Sequence, residues 1–261
     1  VLFRTDRRYF RGVTSTPAVA VEADIAGVAA AIGDPSRTRV LLALAGGQAL
    51  PASALAAEAG VAASTISGHL SKLLDAKLLT VERDGRHRFY RLATPDVARI
   101  LEQLSLLAQP IPVSTLRRST RAEALLRARL CYDHLAGRLG VAVMSALIDR
   151  GVLVDQGGTL PDTPSARTPY ENGAGAEYLL SPVGAVLLTD LGVRVTGPRR
   201  AVRYCVDWAE GKPHLAGQLG GALADRLFDL GWIRRGTSRR VVHVTEEGTR
   251  GLHDTLGLKD P

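Results

Sequence analysis

The chain has 261 residues, 46% hydrophobic and 5% aromatic, with 33 Lys and Arg against 26 Asp and Glu, a net charge of +7. That length suits two or three small domains, and no apolar run reaches the roughly 18 residues a membrane-spanning helix needs. Two cysteines are too few for a disulfide framework and charges interrupt the first twelve residues throughout, so a reducing cytoplasm and a polyanionic partner are expected rather than secretion.

Residues 1–23 read as a disordered basic arm, with Arg4, Arg7, Arg8 and Arg11 able to touch DNA. A valine-type start at Val13 would make residues 1–12 an extension of the natural chain. A compact unit follows over 24–108. Within it, Ser53 is expected to cap a helix in which Leu55, Ala56 and Ala59 face inward and which Gly60 ends. After a tight turn holding Val61, Ser64 is expected to cap a second helix, whose buried stripe is Ile66, Leu70, Leu73 and Leu74. Its other face carries Ser64, Thr65, Ser67, Gly68, His69, Ser71 and Lys72. It is slim, polar and partly basic, and suits a major groove about 12 Å wide.

A strand from Leu79 to Glu82, the turn signal Asp84-Gly85 and a strand from Arg88 to Leu92 then predict a two-stranded hairpin. Its tip carries Arg83, Arg86, His87 and Arg88, suited to phosphate or minor-groove contact. Helix, turn, helix and basic wing together define a binding surface for a double-stranded DNA operator. The reading is a sequence-specific transcriptional regulator.

These residues resemble the ArsR/SmtB family of winged-helix repressors. The matching positions are Asp34-Pro35-Ser36-Arg37, Leu41-Leu42, Leu44, Leu55-Ala56, Ser64 to Ser67, His69-Leu70, Leu73, Ala76, Leu78-Leu79, Gly85-Arg86, Tyr90 and Leu92. The resemblance covers about a third of the chain. It implies a homodimer that leaves its operator when an effector binds, with an interface built from Ile25, Val28 and Ile32 and from Val97, Ile100, Leu101, Leu104 and Leu107. It does not bring a metal site. The Cys-x-Cys pair of the family's metal sensors is replaced here by Leu50-Pro51-Ala52-Ser53, and the helix after the wing has Asp96 but no His. Gly68, inside the groove-facing helix, is a further departure, costing that helix about 1 kcal/mol relative to Ala.

Residues 109–120 combine Pro110, Pro112, Ser and Thr and read as a linker. Residues 121–261 then look duplicated, as repeats 121–193 and 194–261. RLCYDHLAGRLG from Arg129 answers RYCVDW from Arg203 plus HLAGQLG from His214. Each is followed by an apolar helix ending in glycine, a strand-like segment and a short helix. The repeat length suits two small winged-helix-like units packed as one effector or dimer domain. The expected fold class is therefore mainly α with small β wings (α+β). The Gly/Pro-rich segment 155–176 would be a mobile wing or lid, and Arg234 to Arg240 a basic hairpin.

Several chemistries compete for the duplicated half. Cys131 and His134, placed three apart on an expected helix face, could join Cys205 and His214 in a zinc site. The absence of CxxC spacing and the unequal intervals favour small buried cysteines and hydrogen-bonded histidines filling two cores. Thiol sensing is a third reading, by a Cys131–Cys205 disulfide or a low-pKa thiolate near Arg129 and Arg203. A small organic effector held by Tyr132, Trp208, Arg129, Arg203 and the histidines, with Tyr178, Tyr204 and Trp232 nearby, is a fourth. Catalysis is not expected. No GKS/T phosphate loop, HExxH or GxSxG occurs, and the glycines at 137, 140, 217 and 220 lie in helix-like runs. The alternative to an effector domain is a non-enzymatic docking surface for a partner or for further DNA.

Overall fold

A computed structural model describes residues 23–109, 111, 115–155, 178–194 and 202–259. The basic arm to residue 22 and most of the 155–176 segment lie outside the described residues.

The first core forms around five helices and a small sheet. Helix α1 (Ile25–Gly33) meets α2 (Pro35–Leu44) at Asp34, whose carboxylate accepts from the N–H groups of Ser36 and Arg37 at 3.0 Å each. Pro35 at the first helical position costs nothing there, because that N–H has no intrahelical acceptor. The motif helices are α3 (Ala52–Ala59) and α4 (Ala63–Asp75), and Gly60 closes α3 as expected. Both start one residue before the serines expected to cap them. Pro51 and Ala62 occupy the N-cap positions, with no side-chain cap bond, so Ser53 and Ser64 lie inside their helices.

The wing has three strands rather than two. Strand β2 (Leu79–Asp84) pairs antiparallel with β3 (His87–Leu92), and β3 also pairs with β1 (Leu50–Pro51), matching Leu50 to Tyr90. Asp84 faces His87 across a two-residue turn, where Gly85 has φ 56°, the left-handed placement that such hairpins give to glycine. Helix α5 (Pro95–Leu107) returns across the core. Ile32, Val97 and Leu101, expected at a dimer interface, are buried in this core instead, together with Leu41, Leu55, Ile66, Leu70 and Leu73. Ile25, Ile100, Leu104 and Leu107 remain exposed.

The expected linker is partly helical, because α6 (Leu116–Arg127) starts inside it. The rest of the chain runs twice through hairpin, helix, strand pair, helix. The first run is β4 (Arg129–Cys131), β5 (His134–Ala136), α7 (Gly137–Asp149), β6 (Leu153–Asp155), β7 (Tyr178–Leu180) and α8 (Pro182–Asp190). The second is β8 (Arg203–Val206), β9 (Pro213–Ala216), α9 (Gly217–Asp229), β10 (Ile233–Arg235), β11 (Val242–Val244) and α10 (Glu246–Leu256). Among the described residues neither run contains the consecutive helix pair of a winged helix-turn-helix. The likeness expected for them is limited to helices and short β-hairpins.

The two runs share one core. The Val242 N–H donates to the Ala128 carbonyl and the Val202 N–H to the Tyr178 carbonyl, both at 3.0 Å, so each run's second strand pair adds to the other run's first hairpin. Leu130, Leu139, Met144 and Leu147 of the first run pack in one cluster with Leu215, Leu219, Leu223 and Leu227 of the second. The approach is close at two helices. A Cβ on Gly140 would lie 2.5 Å from the Leu135 carbonyl oxygen, and one on Gly220 would lie 2.7 Å from that of Leu215, so only glycine fits either place.

Candidate nucleic-acid interface and buried Cys/His site

Ser64, Thr65, Ser67, Gly68, Ser71 and Lys72 form the exposed face of α4, while Ile66, Leu70 and Leu73 anchor its other side. His69 departs from this face. It is half-buried, and its Nδ1 stands 3.6 Å from Asp34, at the start of α2. Beside α4, Arg83, Arg86, His87 and Arg88 are all exposed on the wing. A narrow hydroxyl-rich helix and a cationic hairpin thus lie together and open to solvent, an arrangement that can neutralise phosphates while short side chains reach base edges.

The second site is internal. Cys131 and His134 do not share a helix face. They are a cross-strand pair closing the β4–β5 hairpin, and Cys205 and His214 are the equivalent pair of β8–β9. Helix α7 carries Gly140 against the Cβ of His214, and α9 carries Gly220 against that of His134, so each run's helix backs the other run's hairpin. This brings the four side chains together, with one donor atom from each lying within 4.8 Å of all the others, and all four are buried.

Hydrogen bonding there is incomplete. Nδ1 of His134 pairs with Asp133 at 2.9 Å, but its Nε2 has no partner, and neither ring nitrogen of His214 has one. The rings stack with centroids 5.3 Å apart. Burial opposes protonation of His134, but Asp133 and the neighbouring Cys131 outweigh it and raise its pKa to about 9. Burial and the charge on His134 hold the pKa of His214 well below its usual value. The Cys131 thiol is pushed well up by its hydrogen bond with Cys205 and by burial. That is the reverse of the low-pKa thiolate expected near Arg129 and Arg203. Both cysteines are free thiols.

Behind His214 runs a buried ion network. Asp207 is fully buried, 3.9 Å from Nδ1 of His214, and accepts from the N–H groups of Gly137 at 2.6 Å, Ala209 at 3.0 Å and Glu210 at 3.1 Å. Burial raises its pKa, but Arg129, at 2.9 Å, leads the charges and N–H donors that bring it below the usual carboxylate value. Arg129 also reaches Glu102 on α5 at 3.5 Å, and its guanidinium lies 4.8 Å from the centre of the Trp208 ring. Glu102 accepts as well from Arg240, the last residue of the expected basic hairpin. At the hairpin tip, the Tyr132 N–H donates to the Ala45 carbonyl at 2.7 Å. The second module is thus tied to the first core at the end of α2 and at α5.

The aromatic residues do not line one cavity. Tyr178 and Tyr204 pack edge to face in the core, Trp208 stacks under Arg129, and Tyr132 lies against the first core. Arg203 is exposed, although its counterpart Arg129 is buried. Two surface grooves lie elsewhere, lined by Val183, Val186 and Leu187 and by Ser119, Glu123 and Arg127.

Sequence reading missed Glu102, although its signal was present: it is an acid on the buried side of α5, next to Leu101 and one turn beyond Ala98. It also misplaced the Cys/His pairs. Their spacing, three in one run and nine in the other, cannot keep one helix face but is indifferent to a hairpin whose loop length varies.

These features define a winged helix-turn-helix DNA-binding protein with an appended hairpin-and-helix module. Residues 32–82 match the helix-turn-helix domain family model. The chain is 36% identical over 240 residues to the HTH-type transcriptional regulator YdfF of Bacillus subtilis, covering 90% of this chain and 98% of that protein. It is 39% identical over 83 residues to the HTH-type transcriptional regulator CmtR of Mycobacterium bovis, which is 32% of this chain and 70% of CmtR. Among solved structures, a homodimeric winged helix-turn-helix fragment from Mycobacterium bovis, described as a possible ArsR-family regulator, is 29% identical, with a TM-score of 0.30 over 32% of this chain and 76% of that one. The chain belongs to the HTH-type transcriptional regulators.

Proposed function

We propose that the protein is a homodimeric, operator-binding repressor of the cytoplasm, without enzymatic activity, released from DNA by an effector that acts on the C-terminal module. The observation that carries this reading is the exposed polar face of α4 beside the arginine wing. In the proposed complex α4 enters the major groove, where Ser64, Thr65, Ser67 and Lys72 contact bases and phosphates, and Arg83, Arg86 and Arg88 hold the register on the backbone. The exposed Ile25, Ile100, Leu104 and Leu107 on α1 and α5 supply an apolar surface for a second copy. An effector shifts the population only as far as it binds the two arrangements unequally.

The test is DNA affinity as a function of salt, measured by fluorescence anisotropy on duplex from upstream of the gene. Arg86→Ala should weaken binding to all sequences and flatten the slope of log K against log salt by about 0.9 for each phosphate that is no longer neutralised. A slope unchanged from the parent protein removes the wing from the interface.

A further inference from the structure

We propose that Cys131, His134, Cys205 and His214 form a closed four-ligand site for a thiophilic divalent metal ion of the zinc class, and that its occupancy sets DNA affinity through Arg129 and Glu102. This rests on the regulator reading above and names the effector class. The donor set is the first argument. Two thiols and two imidazoles disfavour hard cations such as Mg²⁺ and Ca²⁺, which take oxygen ligands. A tetrahedral shell with Zn–S of about 2.3 Å and Zn–N of about 2.0–2.1 Å puts its donors about 3.3–3.8 Å apart. The four donor atoms lie within 4.8 Å of one another, so small side-chain rotations close the shell.

The unpaired nitrogens are the second argument. Nε2 of His134 and Nε2 of His214 are buried without hydrogen-bond partners, and a lone buried polar atom costs about 1–3 kcal/mol. Each ring also has a carboxylate behind Nδ1: Asp133 at 2.9 Å and Asp207 at 3.9 Å. The Asp133 hydrogen bond at Nδ1 fixes the His134 tautomer that presents Nε2 to a metal, while Asp207 supplies a nearby charge to His214 without a hydrogen bond. Two thiolates balance a divalent ion, so the filled site is neutral, which suits its burial. With four protein ligands there is no open position for a substrate, and the site fits sensing or structural binding rather than catalysis.

The coupling follows from where the ligands sit. Cys131 is two residues along β4 from Arg129, and His214 faces Asp207, which Arg129 holds. Closing the ligands on one centre therefore acts on both ends of the Arg129–Asp207 pair, and through Arg129 on Glu102 of α5. Next to Cys131, the Tyr132 N–H holds the turn after α2.

Full-length protein, reduced and stripped with a chelator, is titrated with Co²⁺ as the spectroscopic probe and then with competing Zn²⁺. The expected result is one Co²⁺ per chain, with ligand-field bands of tetrahedral intensity and a thiolate-to-cobalt charge-transfer band that weakens in Cys131→Ser and again in Cys131→Ser/Cys205→Ser. Asp133→Asn, a milder change outside the ligand set, should weaken Zn²⁺ binding about 10–100-fold. Parent protein that takes up no Co²⁺, or takes it up with no charge-transfer band, overturns the site without recourse to any variant.

Anisotropy with upstream DNA then compares stripped and Zn²⁺-loaded protein, with a difference of about 5–150-fold expected. Metal uptake with unchanged DNA affinity overturns the coupling and leaves the DNA reading intact. Failure to bind DNA in either state defeats the regulator reading, while the cobalt spectrum still decides the site. Release of DNA by a thiol oxidant in protein that binds no metal overturns the proposal in favour of a thiol switch.

Discussion

Replacing Arg129 by Met tests whether the buried ion network joins the two modules. The guanidinium is 1% exposed and holds Asp207 at 2.9 Å and Glu102 at 3.5 Å, with Trp208 against its face. Methionine keeps much of the aliphatic bulk but leaves two carboxylates short of a cation. Breaking a buried pair on one side costs about 3–5 kcal/mol. The lower end applies here, since Glu102 keeps Arg240 and Asp207 keeps three backbone N–H donors. At about 2–4 °C per kcal/mol for 150–250 residues, a loss of about 3 kcal/mol lowers the melting temperature by about 6–12 °C in calorimetry. Adding Asp207→Asn removes the stranded charge, so the double variant should be less damaged than the sum of the single ones by about 1–3 kcal/mol. Additivity to within about 0.5 kcal/mol would refute the pairing as an energetic link.

The apolar surface on α5 gives a second prediction. In the proposed dimer, Leu104→Glu/Leu107→Glu would remove burial worth about 1.5–3 kcal/mol per leucine in each protomer and should raise the dimer Kd by about 100-fold or more in sedimentation velocity; an unaltered dimer would place the interface elsewhere. Gly68→Ala should stabilise the protein by up to about 1 kcal/mol in urea unfolding, because nothing lies within 4 Å of the new Cβ. A net loss of stability would show that α4 needs glycine for packing. Asp34 has a pKa below the usual 3.8, chiefly through the Arg37 N–H bond and despite some desolvation, so its cap stabilises the fold above pH 3.8 and is lost as pH falls through the lower folded value. Asp34→Ala should therefore lower the melting temperature at pH 7 and converge on the parent protein in acid; an offset constant down to about pH 2 would contradict the cap.

The DNA-binding half was legible because its signals are local. Ile66, Leu70 and Leu73 fall on one helical stripe, and Asp84-Gly85 needs only its two neighbouring strands to define a hairpin. What was not legible there depends on distant partners. Pro51 is extended because β1 pairs with β3, some forty residues away, and that pairing moves the α3 cap from Ser53 to Pro51. Ile32, Val97 and Leu101 have the hydrophobicity of interface residues, but α1 and α5 turn them into their own core. The C-terminal half was harder for the same reason. Its strands are three or four residues long, and β4, β5 and β9 are buried on both faces, so they lack the alternation that marks a half-exposed strand.

Similar sequence in the two runs does not give similar chemistry, and the docking of the first core explains the difference. Arg129 and Arg203 occupy the same register, facing Ala136 and Ala216 across their hairpins. Arg129 is buried because the β4–β5 hairpin abuts α5 and the turn after α2, where Glu102 and the Ala45 carbonyl receive it. No such neighbour meets β8 on that side among the described residues, and Arg203 stays in solvent. The aspartates diverge in the same way. Asp207 is drawn inside by Arg129, while Asp133 keeps a half-exposed carboxylate on His134. Asp133 and Cys131 raise the pKa of His134, whereas burial lowers that of His214, so the two histidines differ within a near-symmetric frame. The asymmetry of the arginine and aspartate pairs follows the docking against the DNA-binding half, where Arg129 meets Glu102 of α5.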